Sequence, residues 1–179
     1  YQSPTRYLPD RYTFYGATLE DAPMIVRLLN LRHFSPAPFR VEDLRSEWQA
    51  AGFNPAMDVR LVFDPREQLV GFIQVSLDKK HPFLWGCVHP DFEGRGIGSA
   101  LLCWGEARVR FELDEIPARF WSAPHFAALP VQKAHELCEN LGWRQITPQK
   151  KEMKRVTGAL HLPEEAAQAV DVFEKVFEH

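Results

Sequence analysis

Three glycines alternate in the run Glu93-Gly94-Arg95-Gly96-Ile97-Gly98-Ser99. Before them, residues 83–88 (Phe-Leu-Trp-Gly-Cys-Val) have the composition of a buried strand. After them, Ile97, Leu101, Trp104 and Phe111 fall on one face of a helix predicted over residues 97–111. The chain therefore passes from a strand through a glycine turn into a helix. Glycine lets the backbone approach a ligand closely and tolerates positive φ. The first turn of a helix offers free N–H groups and the positive end of the dipole. Together they suit a diphosphate, and Arg95 adds a positive charge. The plainer reading is that the glycines only make a tight turn.

Two other phosphate-binding patterns fail. A dinucleotide fingerprint needs GxGxxG, whereas here the third glycine comes one residue early and Ser99 stands in its place. It also needs an acidic residue at the end of the next strand. That strand is predicted at residues 119–122 (Arg-Phe-Trp-Ser) and carries no carboxylate. A Walker A motif needs Gly-Lys-Ser/Thr, which is absent.

Composition narrows the class further. The 179 residues suit one domain, and 45% apolar with 25% charged residues is the balance of a globular protein. A net charge of -3 argues against a nucleic-acid or anionic-membrane surface. No apolar run is long enough for a transmembrane helix. Cys87, Cys103 and Cys138 are an odd count without CxxC spacing, and the seven His show no ligand spacing, so no metal is expected. Cysteines of this kind point to a reducing, cytoplasmic compartment.

The elements that must position the turn follow from periodicity. Residues 1–11 read as an N-terminal arm and residues 12–17 as a first strand. Thr18 and Asp21 resemble a capping box ahead of a helix carrying Met24, Ile25, Leu28 and Leu29. Residues 33–39 break that helix with two prolines. A short helix surrounds Leu44 and Trp48. Residues 59–63 and 69–77 read as a hairpin. Residues 131–141 read as a helix stopped by Gly142, and residues 143–147 and 151–156 as closing strands. Pro163-Glu164-Glu165 opens a last predicted helix, with Ala166, Val170, Phe173 and Phe177 as its apolar stripe.

The turn, together with Cys87-Val88-His89-Pro90 before it and Ala134-His-Glu-Leu-Cys-Glu-Asn-Leu-Gly-Trp143 after it, resembles the GNAT superfamily of acyl-CoA N-acyltransferases. The family signature is Gln/Arg-x-x-Gly-x-Gly/Ala at a strand-to-helix turn. The resemblance covers about residues 12–157 and implies an α/β (α+β) fold. Its central sheet would be mixed, mostly antiparallel and splayed near its middle, with helices on both faces. It implies acetyl-CoA as cosubstrate, held by Cys87, Val88, Arg95, Gly96, Ile97, Gly98 and Ser99. The amides of 95–99 would take the pyrophosphate, and the strand at 86–88 the pantetheine arm. Phe34 and Phe39 would line the acceptor site.

Three departures stand out. Glu93 replaces the usual Gln or Arg, Val131 stands where Asn is common, and Cys138 stands where a Tyr often protonates the thiolate. His125 is the first candidate base, with His81 second and a water as the other option, and Cys138 is the candidate acid, although a small buried thiol is the plainer reading of Cys138. Two functions stay open. One is an N-acetyltransferase moving an acetyl group by direct attack to a small-molecule or peptide primary amine. The other is a non-catalytic CoA-binding or scaffolding domain of the same fold. Residues 158–179 fall outside the family core. They are expected to form a linker or interaction helix, serving a homodimer or a tandem second domain.

Overall fold

Val59–Phe63 (β2) and Leu69–Ser76 (β3) form the expected antiparallel hairpin. Asp64 shapes its turn by accepting from the N–H groups of Arg66 and Gln68, both at 2.9 Å. The computed structural model describes residues 3–32, 38–77, 81–117, 122–128, 132–162 and 170–177. Thr13–Tyr15 (β1) pairs with β2, and Phe83–Val88 (β4) pairs with β3 along its whole length, from Ser76↔Phe83 to Gly71↔Val88. His125–Ala128 (β5) then lies parallel to β4. Among the described residues, Arg144–Ile146 (β6) and Asp171–Glu174 (β7) complete a seven-stranded sheet of order β1-β2-β3-β4-β5-β7-β6. Every pairing but β4–β5 is antiparallel.

The sheet separates two cores. One face takes Ala22–Asn30 (α1), Val41–Trp48 (α2) and Lys150–Ala159 (α6), around Ile25, Leu29, Trp48, Phe72, Trp85 and Val156. Pro55–Asp58 (α3) is a single turn leading into β2, capped by Asn54. The other face takes Ile97–Leu113 (α4) and Gln132–Asn140 (α5), around Leu84, Ile97, Leu101, Cys138, Trp143 and Phe173. Strand alternation divides β4 between them. Phe83, Trp85 and Cys87 face α1 and α2, while Leu84 and Val88 face α4. The N-terminal arm is not loose. Its 3-10 turn Pro4–Tyr7 sits beside the start of α4, with Leu8 packed against the second core.

Three sequence expectations need correction. Residues 118–121 lie outside the described residues, so most of the strand expected at 119–122 does too. Ser122 is not in a strand, and the next strand among the described residues is His125–Ala128. Residues 151–156 are not a strand but the body of α6. Met153, Val156, Thr157 and Leu160 recur at helical spacing and turn toward the first core. The run also consists mainly of good helix formers.

The helix expected from Pro163 onward is absent from its second half. Residues 163–169 lie outside the described residues, and Asp171–Glu174 is β7, between β5 and β6. Val172 and Phe173 point to opposite cores, as neighbours in a strand do, and a strand buried on both faces shows no polar–apolar alternation in its sequence. The spacing of Val170, Phe173 and Phe177 imitates a helical stripe. Those side chains are covered by this chain's own sheet and helices.

Candidate functional site

The parallel ladder between β4 and β5 is short. It pairs Phe83↔His125, Leu84↔Phe126 and Trp85↔Ala127, and no further pairing follows among the described residues. On its other side β4 stays bonded to β3 as far as Val88. Two residues beyond Ala128 the sequence has Pro130, which has no N–H for a ladder. Gly86–Val88 therefore presents an open edge.

His89 donates its N–H to Val70 O of the β3 side at 2.8 Å. Alternation along the strand turns the N–H and C=O groups of Val88 and Gly86 the other way, into the opening. A cleft of about 440 Å³ lies there, lined by this edge, by Phe126 and Ala128 of β5, by the glycine turn and by α5. That volume falls in the range of small-molecule and cofactor sites.

At the cleft's other end α4 begins. Gly96 is its N-cap with φ 87°, and no side chain caps the helix. Ala100 is the first residue to donate back, to Gly96 O at 3.0 Å, so the preceding N–H groups of the turn are left for a ligand. Lys133 of α5 brings a positive charge over the turn, its Nζ 3.9 Å from where a Cβ on Gly94 would stand. The glycines have different reasons to be there. A Cβ on Gly96 would lie 2.0 Å from Tyr7 O of the arm, and one on Gly98 2.8 Å from Leu137 Cδ2. Only Gly94 has open space beside it. Close packing thus accounts for Gly96 and Gly98.

The negative charge of Glu93 has a partner. Arg32, from the end of α1, pairs with Glu93, and its Nε also donates to Val88 O at 2.9 Å. Both side chains line the cleft and are largely buried.

These features decide the family. A family model described as the Acetyltransferase (GNAT) family matches residues 22–143. The chain belongs to the GNAT acetyltransferases. No curated protein matches it significantly. Among solved structures it resembles a GCN5-related N-acetyltransferase from Sphaerobacter thermophilus, with TM-score 0.68 and 26% identity. That match covers 78% of this chain and 45% of the other, so this chain spans less than half of that protein. A GCN5-related N-acetyltransferase from Kribbella flavida matches at TM-score 0.61 and 18% identity, over 94% of this chain and 99% of that one. The structure of yncA from Salmonella typhimurium with its cofactor acetyl-CoA matches at TM-score 0.61 and 15% identity, over 95% and 96%. The last two show a shared GNAT fold.

The residues expected in the GNAT site separate into two groups. Cys87, Val88, Gly96, Gly98 and Ser99 gather at the cleft. Ile97 turns its side chain into the second core at 1% exposure, so only its backbone can serve. Arg95 is exposed and turned to the arm, stacked on Phe92 and 3.3 Å from Tyr12 Oη. Lys133 takes the place over the turn that Arg95 was expected to hold.

Cys138 is fully buried in the second core, and burial pushes its thiol up to about 12. His125 sits at the closed end of the ladder, opposite Phe83, with Nε2 2.9 Å from Glu174 Oε2. Three residues of strand, roughly 10 Å, separate it from Ala128 at the cleft. Phe34 and Val131 lie outside the described residues. Phe39 stacks on Trp85 on the opposite face of the sheet, with ring centroids 6.1 Å apart. Sequence reading missed Arg32, Lys133 and Asn140, which all line the cleft. The misplaced sign of Glu93 was the one signal that a basic partner had to exist.

Among the described residues, no group of His, Cys, Asp and Glu could hold a metal, and no helix is long and apolar enough to cross a membrane.

Proposed function

We propose that this GNAT domain moves an acetyl group from acetyl-CoA to a primary amine by direct attack. The observation that carries the reading is the open β4 edge. The β4–β5 ladder ends at Trp85↔Ala127, and the cleft beyond it runs to the uncapped start of α4. The residues present fit acetyl-CoA. The amides of the turn and Lys133 suit its diphosphate, and the backbone edge Gly86–Val88 suits its amide-bearing arm. When bound, acetyl-CoA supplies a thioester carbonyl.

The chain's own groups then do three things. The N–H groups of Gly86 and Val88 stand ready to polarise a carbonyl oxygen, an oxyanion-type stabilisation. Arg32 holds the Val88 carbonyl and so fixes the strand end. The Cys87 thiol points to the α1 and α2 face of β4, and burial pushes it up to about 12, so it stays a thiol. The amine nitrogen bonds to the acyl carbon as the C–S bond breaks. Its proton passes to water at the mouth, and the released sulfur takes one from solvent.

The positions of His125 and Cys138 favour a second reading, a non-catalytic CoA-binding domain, because neither candidate acid nor base lines the cleft. Calorimetry with acetyl-CoA and a thiol-release assay with primary amines separate the two. Acetyl-CoA binding with amine-dependent thiol release supports transfer. Binding with no release from any amine leaves the non-catalytic domain, and no binding removes both.

A further inference from the structure

Gly96 begins α4 with φ 87°, and no side chain caps the helix. A Ser, Thr, Asp or Asn at that place would tie its own side chain to the first turn. Glycine has nothing to tie, and it has the widest choice of backbone conformations. The glycine turn therefore needs another contact to hold one shape.

The N-terminal arm supplies two. Its 3-10 turn Pro4–Tyr7 ends with the Tyr7 carbonyl pressed on Gly96. That oxygen fills the space a side chain at 96 would need, 2.0 Å from the place of a Cβ. Further along, Tyr12 Oη accepts from Arg95 Nη1 at 3.3 Å, and the Arg95 guanidinium lies over the Phe92 ring, 4.7 Å from its centroid. The arm is itself anchored. Pro4 is buried, Leu8 donates its N–H to Thr5 O at 3.0 Å, and Leu8 and Tyr12 pack against the second core.

No described residue of the arm lines the cleft. The wall there is α5, with Lys133 over Gly94 and Leu137 against Gly98. The turn is thus held by α5 inside the cleft and by the arm outside it. A segment that lines none of the cleft acts on its ligand only through the turn.

We propose that residues 3–12 brace the glycine turn in the shape that receives a diphosphate, so that the arm sets acetyl-CoA affinity without touching acetyl-CoA. Tyr7 and Tyr12 are then positioning residues. The inference rests on the acetyl-CoA reading of the cleft. Without the brace the ligand itself must order the turn, and that cost is subtracted from binding. The open β4 edge, at the other end of the cleft, is left unchanged.

The test uses the full chain. Leu8→Asp puts a charge where the arm meets the second core and lifts the arm, whereas Leu8→Met keeps the contact. Calorimetry measures acetyl-CoA binding, and hydrogen exchange follows the amides of residues 94–99. In Leu8→Asp the affinity should fall by about tenfold. Exchange at 94–99 should quicken, and exchange in the β2–β3 hairpin should not. Leu8→Met should match the parent chain. With a primary amine present, KM for acetyl-CoA should rise by the same factor with little change in kcat. A merely structural role would quicken exchange in the hairpin too and leave the affinity of the folded chain unchanged.

Gly96→Ala adds a coupling measurement. Its Cβ meets Tyr7 O in the parent chain, whereas Leu8→Asp has already loosened that contact. The loss in the double variant should therefore be smaller than the two single losses together. Additive losses overturn the brace, and so does unchanged affinity in a folded Leu8→Asp chain. If Leu8→Asp does not fold, Leu8→Ala takes its place with the same outcomes. If the parent chain does not bind acetyl-CoA, the reading of the cleft falls, and exchange at 94–99 decides the brace by itself. Faster exchange in the variant, confined to the turn, upholds it, and unchanged exchange overturns it.

Discussion

Arg32 and Glu93 form an ion pair across the rim of the cleft, joining the end of α1 to the residue before the glycine turn. A carboxylate at that position would repel a diphosphate at the start of α4. The guanidinium cancels the charge, and because both groups are largely buried, solvent screens the pair less than a surface bridge. Arg32 also holds the Val88 carbonyl. One side chain thus governs the charge at the glycine-turn end of the cleft and the position of the strand edge.

Arg32→Ala should therefore weaken acetyl-CoA binding by about 10- to 100-fold, each tenfold being about 1.4 kcal/mol. In that background Glu93→Gln should recover a large part of the loss, since the uncompensated charge is gone. Calorimetry on the two single variants and the double variant measures the coupling. Strictly additive losses would show that Arg32 acts only through Val88.

The reaction's pH dependence should be that of the amine, not of a histidine. His125 is tied to Glu174 at the closed end of the ladder, and no His lines the cleft among the described residues. A primary amine has a pKa of about 10.4, so its reactive fraction grows about tenfold per pH unit below that. We expect kcat/KM to keep rising above about pH 8, and Cys87→Ser to retain activity within about tenfold, a change of about 1.4 kcal/mol in the barrier. A plateau near the histidine range, or ping-pong kinetics, would contradict direct attack with proton loss to water.

The glycine turn was legible because its signal is local: a strand, alternating glycines and an amphipathic helix, all within about thirty residues. The family resemblance rests on that run together with Ala134–Trp143 further on, and it implies the splayed sheet. Arg32 and Tyr7 were not legible, because their significance comes from partners far away in sequence. Cys138 is marked by the position the resemblance gives to a Tyr, and His125 by its place beside a predicted strand. Neither position shows the core that encloses Cys138 or the strand end that holds His125. The start of α6 reads as a strand because a short run after a Pro-containing turn has few periods to count. Met153, Val156 and Leu160 carry the helical spacing only when the window extends past residue 156.

His161 offers a stability test. Its Nε2 lies 3.1 Å from Glu47 Oε2, and Glu47 also accepts from Gln74 Nε2 at 2.7 Å. The hydrogen bond to Glu47 raises the His161 pKa above 6.5, against an opposing burial effect, with Asp43 adding a smaller push upward. The stabilisation is fully present below the unfolded value and is lost as pH rises through the raised folded one. His161→Gln should thus lower the melting temperature more at about pH 6 than at about pH 8.5. The effect should be small, since solvent screens a half-exposed pair. An equal loss at both pH values would mean that the imidazole contributes packing alone.

The C-terminal strand gives the last test. β7 pairs with β5 on one side, from His125↔Glu174 to Ala128↔Asp171, and with β6 on the other, from Arg144↔Glu174 to Ile146↔Val172. Phe173 is 0% exposed in the second core, where its ring meets His135 edge-on at 5.3 Å between centroids. His135 in turn holds Asp171, with Nε2 2.6 Å from Oδ2. A linker helix could be removed with little harm to the rest. A strand between two others cannot, because both ladders and part of the second core leave with it. Phe173→Ala should cost about 3–5 kcal/mol in denaturant unfolding, and truncation after Leu162 should abolish cooperative unfolding. β5 forms one wall of the cleft, so acetyl-CoA binding should disappear with the truncation. A truncated chain that still unfolds cooperatively and binds acetyl-CoA would show that β7 is dispensable and that residues 158–179 are an appendage after all.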